Sequence, residues 1–260
     1  EFANSNGSLS GSSYVVFGKA SGFSATIDLA SLEKTAGFRL DGAAAIDLSG
    51  TSVSAAGDAN GDGFADLLVG APNADPNGNH SGSSYVVFGG NFNGKVTAMG
   101  SAGDDKLKGG KGVDRMVAGD GDDILSGRGG KDVFHAGGGD DTIEIRDAKF
   151  QLIDGGAGLD TLKLDENHLN LNLTKERGHI SDIEAIDLKG SGSNKLTLTA
   201  QDVLNLSTTS NTLIVDGNRN DRVVGLDSGW EDGGVHHGYH TFTNGEATLL
   251  IGVHVATDFG

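Results

Sequence analysis

The sequence predicts an all-β protein in three consecutive parts, and three observations carry that prediction. Glycine supplies 44 of the 260 residues and proline 2, whereas an average domain holds about 7% glycine. From Gly100 the chain repeats with a nine-residue period in which one Asp and one apolar residue recur in phase. Elsewhere, short β-prone runs are separated by Gly, Asn and Asp, and residues 201–206 (QDVLNL) form the one helical candidate.

The formal charge is -17, from 36 acidic and 19 basic residues. Nucleic-acid binding rests on neutralising phosphates with Lys and Arg, so that class of partner is excluded. The acids fall at fixed spacings inside Gly-rich loops, which points to neutralisation by bound divalent cations. With no cysteine, neither disulfides nor thiolate metal sites can form. No run of about 18 apolar residues is present, so no membrane span is expected. The first residues, EFANSNGSLSG, lack the basic and apolar regions of a signal peptide. Either the chain is a piece of something longer or its export signal lies elsewhere.

The first part spans residues 1–95. The octapeptide GSSYVVFG at 11–18 recurs at 82–89, and the strand-like runs AAIDLSG, SVSAAGD and FADLLVGAP lie between the copies. This reads as one complete blade-like unit plus the closing strand of another, with open edges that suggest missing neighbours. Oxygen-bearing side chains stand at relative positions one, three, five and nine in Asp58, Asn60, Asp62 and Asp66. Such spacing curls them around one cation, with Gly63 permitting the sharp turn and Phe64 offering its carbonyl. An EF-hand needs Glu at position twelve, but Val69 stands there, inside a strand-like run. The stretch resembles the FG-GAP repeat of integrin α-chain propellers, through Val87-Phe88-Gly89 and Gly70-Ala71-Pro72. That resemblance implies a propeller blade. It also makes Asp58, Asn60, Asp62 and Asp66 side-chain calcium ligands and Phe64 a backbone ligand.

The second part spans residues 96–163. Its nonapeptides place Asp105, Asp114, Asp123, Asp132, Asp141 and Asp160 at position six, and Leu107, Met116, Leu125, Phe134, Ile143 and Leu162 at position eight. Glycine-rich residues one to six can take positive-φ turns that expose carbonyls, and calcium prefers six to eight hard oxygens. A disordered Gly/Asp linker would share the composition without the phase. The pattern resembles the calcium-binding repeat of RTX proteins. The resemblance implies a parallel β-roll with two nonapeptides per turn and calcium between a loop and the loop two units later. Carried over, it pairs Asp105 with Asp123, Asp114 with Asp132, and Asp123 with Asp141. The irregular segment IRDAKFQLID and a one-residue insertion before Gly155 leave an Asp141–Asp160 pair open, and leave Asp132 without its next partner.

The third part spans residues 164–260. Alternating runs such as LNLNL, KLTLTA, NTLIVDG and ATLLIGVHV read as strands, which either continue the roll or form a separate sandwich. Residues 89–95 (GGNFNGK) mimic a phosphate-binding loop, but Val96 stands where its hydroxyl should be. His236, His237 and His240 read as a solvated loop, with Trp230 and Tyr239 as core edge or sugar-stacking surface. No G-x-S-x-G elbow or isolated carboxylate pair marks an enzyme.

Together the resemblances imply a non-catalytic, calcium-binding structural and secretion module of a secreted bacterial adhesin-like protein. It would fold on calcium binding outside the cell and be exported through its C-terminal end. The expected partners are calcium and a cell-surface glycan or protein. Two alternatives stay open: an accessory region of a secreted protease or lipase, and a carbohydrate- or protein-binding module.

Overall fold

The computed structural model describes residues 2–18, 23, 25–34, 36–60, 64–91 and 95–259. They form two compact units, divided between Gly94 and Lys95.

In the first unit, β1 (Ser12–Val16) pairs antiparallel with β2 (Gly37–Asp41). A separate antiparallel meander contains β3 (Ser52–Gly57), β4 (Asp66–Ala71) and β5 (Ser83–Val87). The two copies of the octapeptide thus become β1 and β5. The meander is not closed into a barrel or propeller among the described residues, since β3 and β5 are its edges. Val53, Leu68, Tyr85 and Val86 stay exposed on it, as expected of an open blade.

The second unit is a parallel β-roll. From Lys95 the chain alternates between two walls. It passes through β6 (Ala98–Met99), β7 (Lys106–Lys108), β8 (Arg115–Asp120), β9 (Ile124–Ser126), β10 (Val133–Gly138), β11 (Thr142–Ile145), β12 (Leu152–Ala157) and β13 (Thr161–Leu164). Even-numbered strands pair in parallel along one wall and odd-numbered strands along the other. The cause lies at position eight. Side chains alternate across a strand, so the residue at that position always points inward. Successive turns stack Met116 on Phe134 and Phe134 on Ile153 in the first wall. They stack Leu107 on Leu125, then Ile143, then Leu162 in the second. Two nonapeptides therefore make one turn, as the resemblance implied.

The winding does not stop at the last nonapeptide. It continues through β14 (Asn170–Asn172), β15 (Ile180–Ser181), β16 (Ala185–Asp187), β17 (Lys195–Thr197), the helix α1 (Ala200–Leu206), β18 (Thr212–Asp216) and β19 (Arg222–Val224). It ends in β20 (Glu231–His236), β21 (Tyr239–Asn244), β22 (Ala247–Gly252) and β23 (Ala256–Thr257). The second wall grows in parallel from β13 through β16 and β18 to β22. A third wall appears as β14, β17, β19 and β23, because longer turns give room for a third side. Of the two readings of the C-terminal part, the structure takes continuation. α1 begins at a capping box, in which Thr199 and Asp202 exchange side-chain and backbone hydrogen bonds.

The His-rich segment is not a loop. β20 and β21 form a hairpin whose two-residue turn, His237-Gly238, has positive φ at both positions, the backbone that such tight hairpins need. Gly233 and Gly234 sit at an irregularity in its register. Trp230 belongs to the core.

Phe134 is 1% exposed and lies between Met116 and Ile153. Replacing it with Ala is expected to cost about 3–5 kcal/mol, read as a lower urea midpoint in saturating calcium.

Candidate metal centres

Each Gly-rich turn carries its position-six Asp to one edge of the roll. There its Oδ1 accepts the backbone N–H of the Asp one turn earlier. Asp123 takes the Asp105 amide at 2.6 Å, and Asp141 takes that of Asp123 at 2.7 Å. On the opposite edge Asp132 takes the Asp114 amide at 2.9 Å. These contacts join the residues whose pairing the RTX resemblance implied.

Asp160 makes the same bond to the Asp141 amide at 2.9 Å, so the open pair is brought together as well. The inserted residue is taken up in the stretch between β11 and β12, on the edge away from Asp141. Register across β10 and β12 then resumes with Val133 opposite Leu152. On that edge burial pushes the Asp132 pKa upward, the Asp114 amide works against the shift, and the charges of Asp114 and of Asp147 in the irregular segment add to it.

The second carboxylate oxygens decide what the turns can hold. Oδ2 of Asp123, Asp141 and Asp160 is buried with no hydrogen-bond donor. A buried polar atom without a partner costs about 1–3 kcal/mol, and more when charged. Burial, reinforced by neighbouring acids, pushes the Asp141 and Asp160 carboxyls up to about 7. Asp123 and Asp132 are raised for the same reasons. At the first turns the situation differs: Asp105 Oδ2 accepts from Ser101, and Asp114 Oδ2 from the Gly110 amide.

A second ladder runs beside the first and was not singled out in the sequence. Asp104 and Asp122, at position five, accept the amides of Asp122 and Asp140 one turn later, at 3.0 and 2.8 Å. The doublets Asp104-Asp105, Asp122-Asp123 and Asp140-Asp141 were its signal. The two ladders clamp adjacent turns in opposite senses.

Glycine makes this stacking feasible. At Gly137 (φ 116°) and Gly139 (φ 129°), an added Cβ would stand 2.0 and 2.3 Å from the carbonyl oxygens of Gly119 and Gly121 in the preceding turn. Among the described residues no three acidic or His side chains converge as a ready metal cluster. A cation held here therefore needs backbone carbonyls, which calcium accepts readily. Orphaned carboxylate oxygens beside carbonyl-lined turns fit such an ion.

Residues 97–125 and 109–143 match the family model of the RTX calcium-binding nonapeptide repeat. Residues 97–143 carry RTX repeats. Residues 49–87 match the FG-GAP repeat, so an FG-GAP repeat precedes the RTX repeats in the chain. No curated protein and no solved structure gives a significant match. RTX repeats bind calcium, and the turns just described are their structural form here.

The FG-GAP loop is organised around Asp66, which is buried. Its Oδ2 accepts the Ala59 amide and its Oδ1 the Gly89 amide, both at 2.7 Å. Asp66 thereby brings the end of the loop back beside its start and ties both to the Val-Phe-Gly after β5. Asp58 and Asn60 are exposed and Phe64 is partly buried, while Asp62 and Gly63 lie outside the described residues. Of the mimic of a phosphate-binding loop, residues 92–94 also lie outside them. In the hairpin, His240 stacks on Phe242 at 6.0 Å.

Two outcomes are expected. A carboxyl whose pKa is raised on folding contributes stability below its unfolded value, near 4, and loses it as pH rises through the folded value. Asp141 and Asp160 place that loss between pH ~4 and ~7. In the absence of metal the chain should therefore show less residual β-sheet circular dichroism at pH 8 than at pH 5, and saturating calcium should remove the difference. Replacing Asp66 with Ala strands two amides and should cost about 2 kcal/mol, seen as roughly thirtyfold faster amide exchange in β4 and β5.

Proposed function

We propose that this chain is a non-catalytic, calcium-dependent structural module of a secreted bacterial adhesin-like protein. In this reading the RTX roll folds when calcium is supplied outside the cell. Asp105, Asp114, Asp123, Asp132, Asp141 and Asp160 act as carboxylate ligands, and the Gly-rich turns add carbonyls. Asp58, Asn60, Asp62, Asp66 and the Phe64 carbonyl hold a further ion in the FG-GAP loop. Residues 1–95 form the propeller-like part, 96–163 the repeat-bearing roll, and 164–260 its closing segment and export end.

The observation that carries this reading is the row of buried carboxylates whose second oxygen has no donor. Without a cation these groups desolvate and repel one another. With one, metal binding becomes folding free energy. A position on the surface of a cell, with a glycan or protein as ligand, follows the combination of FG-GAP and RTX repeats and the lack of any catalytic constellation in the sequence.

Adding calcium to chelated protein should produce a cooperative gain of β-sheet circular dichroism. Asp123 is shared by two stacked pairs and Asp114 by one. Asp123→Ala should therefore raise the calcium midpoint by roughly tenfold or more, and Asp114→Ala by less. An unchanged midpoint in Asp123→Ala would overturn the assignment.

A further inference from the structure

The column of acids at the first edge does not end with the last nonapeptide. Glu184 lies 24 residues beyond Asp160, and its Oε2 accepts the Asp160 amide at 2.9 Å. This is the bond that each position-six Asp makes to the turn before it. Glu184 is buried. The longer turn accounts for the longer side chain: β13 pairs with β16 in register, Leu162 opposite Ile186, and the acid preceding β16 still reaches the same rung.

Three oxygen sources meet around this rung. Asp160 Oδ2 is fully buried and has no donor. A Cβ built on Gly155 would stand 2.7 Å from that oxygen and within contact of the Asp182 carbonyl at 1.8 Å. The two oxygens therefore share a cradle that only glycine leaves open. The Asp182 carbonyl is held in place because Asp182 adopts positive φ, which Asp tolerates better than most residues. Its Oδ1 is also fixed by the Thr208 amide and hydroxyl. Among the described ion pairs, none brings Lys, Arg or His to Asp160, Asp182 or Glu184.

A comparison within the same roll shows that the arrangement is not forced by the fold. On the edge formed by the third wall, Asn194 Oδ1 accepts the Leu169 amide and Asp221 Oδ1 the Asn194 amide, both at 2.8 Å. There the second group is satisfied by the chain: Asn194 Nδ2 donates to the Leu188 carbonyl, and Asp221 Oδ2 accepts from the Asn218 amide. Where no cation is needed, the ladder uses a neutral amide or its own backbone. At Asp160 it does neither, and Oδ2 is left buried without a donor.

We propose that Asp160, Glu184 and the Asp182 carbonyl form a calcium site beyond the last nonapeptide, in which Glu184 takes the part of a position-six Asp. The donors are all oxygen, two of them carboxylates, which suits a hard divalent cation that also accepts carbonyls and water. The proposal rests on the reading that the RTX turns hold calcium, and it extends the calcium-dependent part of the roll into the closing segment.

The test uses the full chain crystallised in calcium with terbium exchanged in, located by anomalous diffraction, and native mass spectrometry to count bound ions. A peak between Asp160 and Glu184 is expected, together with the loss of one ion in Glu184→Gln, which keeps an acceptor for the Asp160 amide. Peaks at the Asp105–Asp141 turns with none at Asp160–Glu184 would overturn this site and leave the RTX reading standing. No peak anywhere along the edge would overturn both. If Glu184→Gln does not fold, the anomalous map of the unaltered chain decides by itself.

Discussion

The roll depends on one contact: a carboxylate oxygen at the end of each turn accepting the backbone amide of the turn before it. Parallel strands alone do not set the distance between Gly-rich turns, because such turns have few side chains to pack. The bond between Asp123 and the Asp105 amide, repeated up the edge, supplies that spacing. Its consequence is electrostatic. At Asp123, Asp141 and Asp160 one oxygen is held by the backbone and the other is buried with no donor. The column is therefore organised by hydrogen bonds and burdened by its own charge, which a bound cation would offset.

Inside the turns, the apolar columns make the walls indifferent to what the edges do. Leu125, Ile143, Leu162, Ile186, Val215 and Ile251 occupy successive rungs of one wall, although the chain between rungs lengthens steadily. The extra residues go into a third wall and α1. As the circuit grows, its edges change chemistry. Acids needing a counter-charge give way to Asn194 and to Asp221, whose oxygens are met by the chain itself. The same winding thus passes from RTX turns with orphaned carboxylate oxygens to turns closed by protein groups alone.

The first unit solves a related problem differently. Asp66 holds the amides of Ala59 and Gly89 with its two oxygens, so no carboxylate oxygen is left there without a donor. Its sheet, by contrast, leaves Val53, Tyr85 and Val86 exposed.

The residues themselves determine a good deal of this protein. Position six and position eight follow from a nine-residue count, since a turn of Gly-rich chain and a short strand are local structures. Asp123 and Phe134 were therefore readable without coordinates, as were the FG-GAP strands and a helix over residues 201–206, while the two-walled roll was implied by the RTX resemblance. Four features were settled by tertiary structure: the Asp141–Asp160 pair across an insertion, Glu184 outside any repeat, the hairpin around His237, and the continuation of the roll past Leu164. The first, second and fourth depend on parallel register between distant segments, whereas the hairpin is a local antiparallel pair. A local period cannot report that register, because a wall keeps its rungs aligned whatever number of residues the intervening turn consumes.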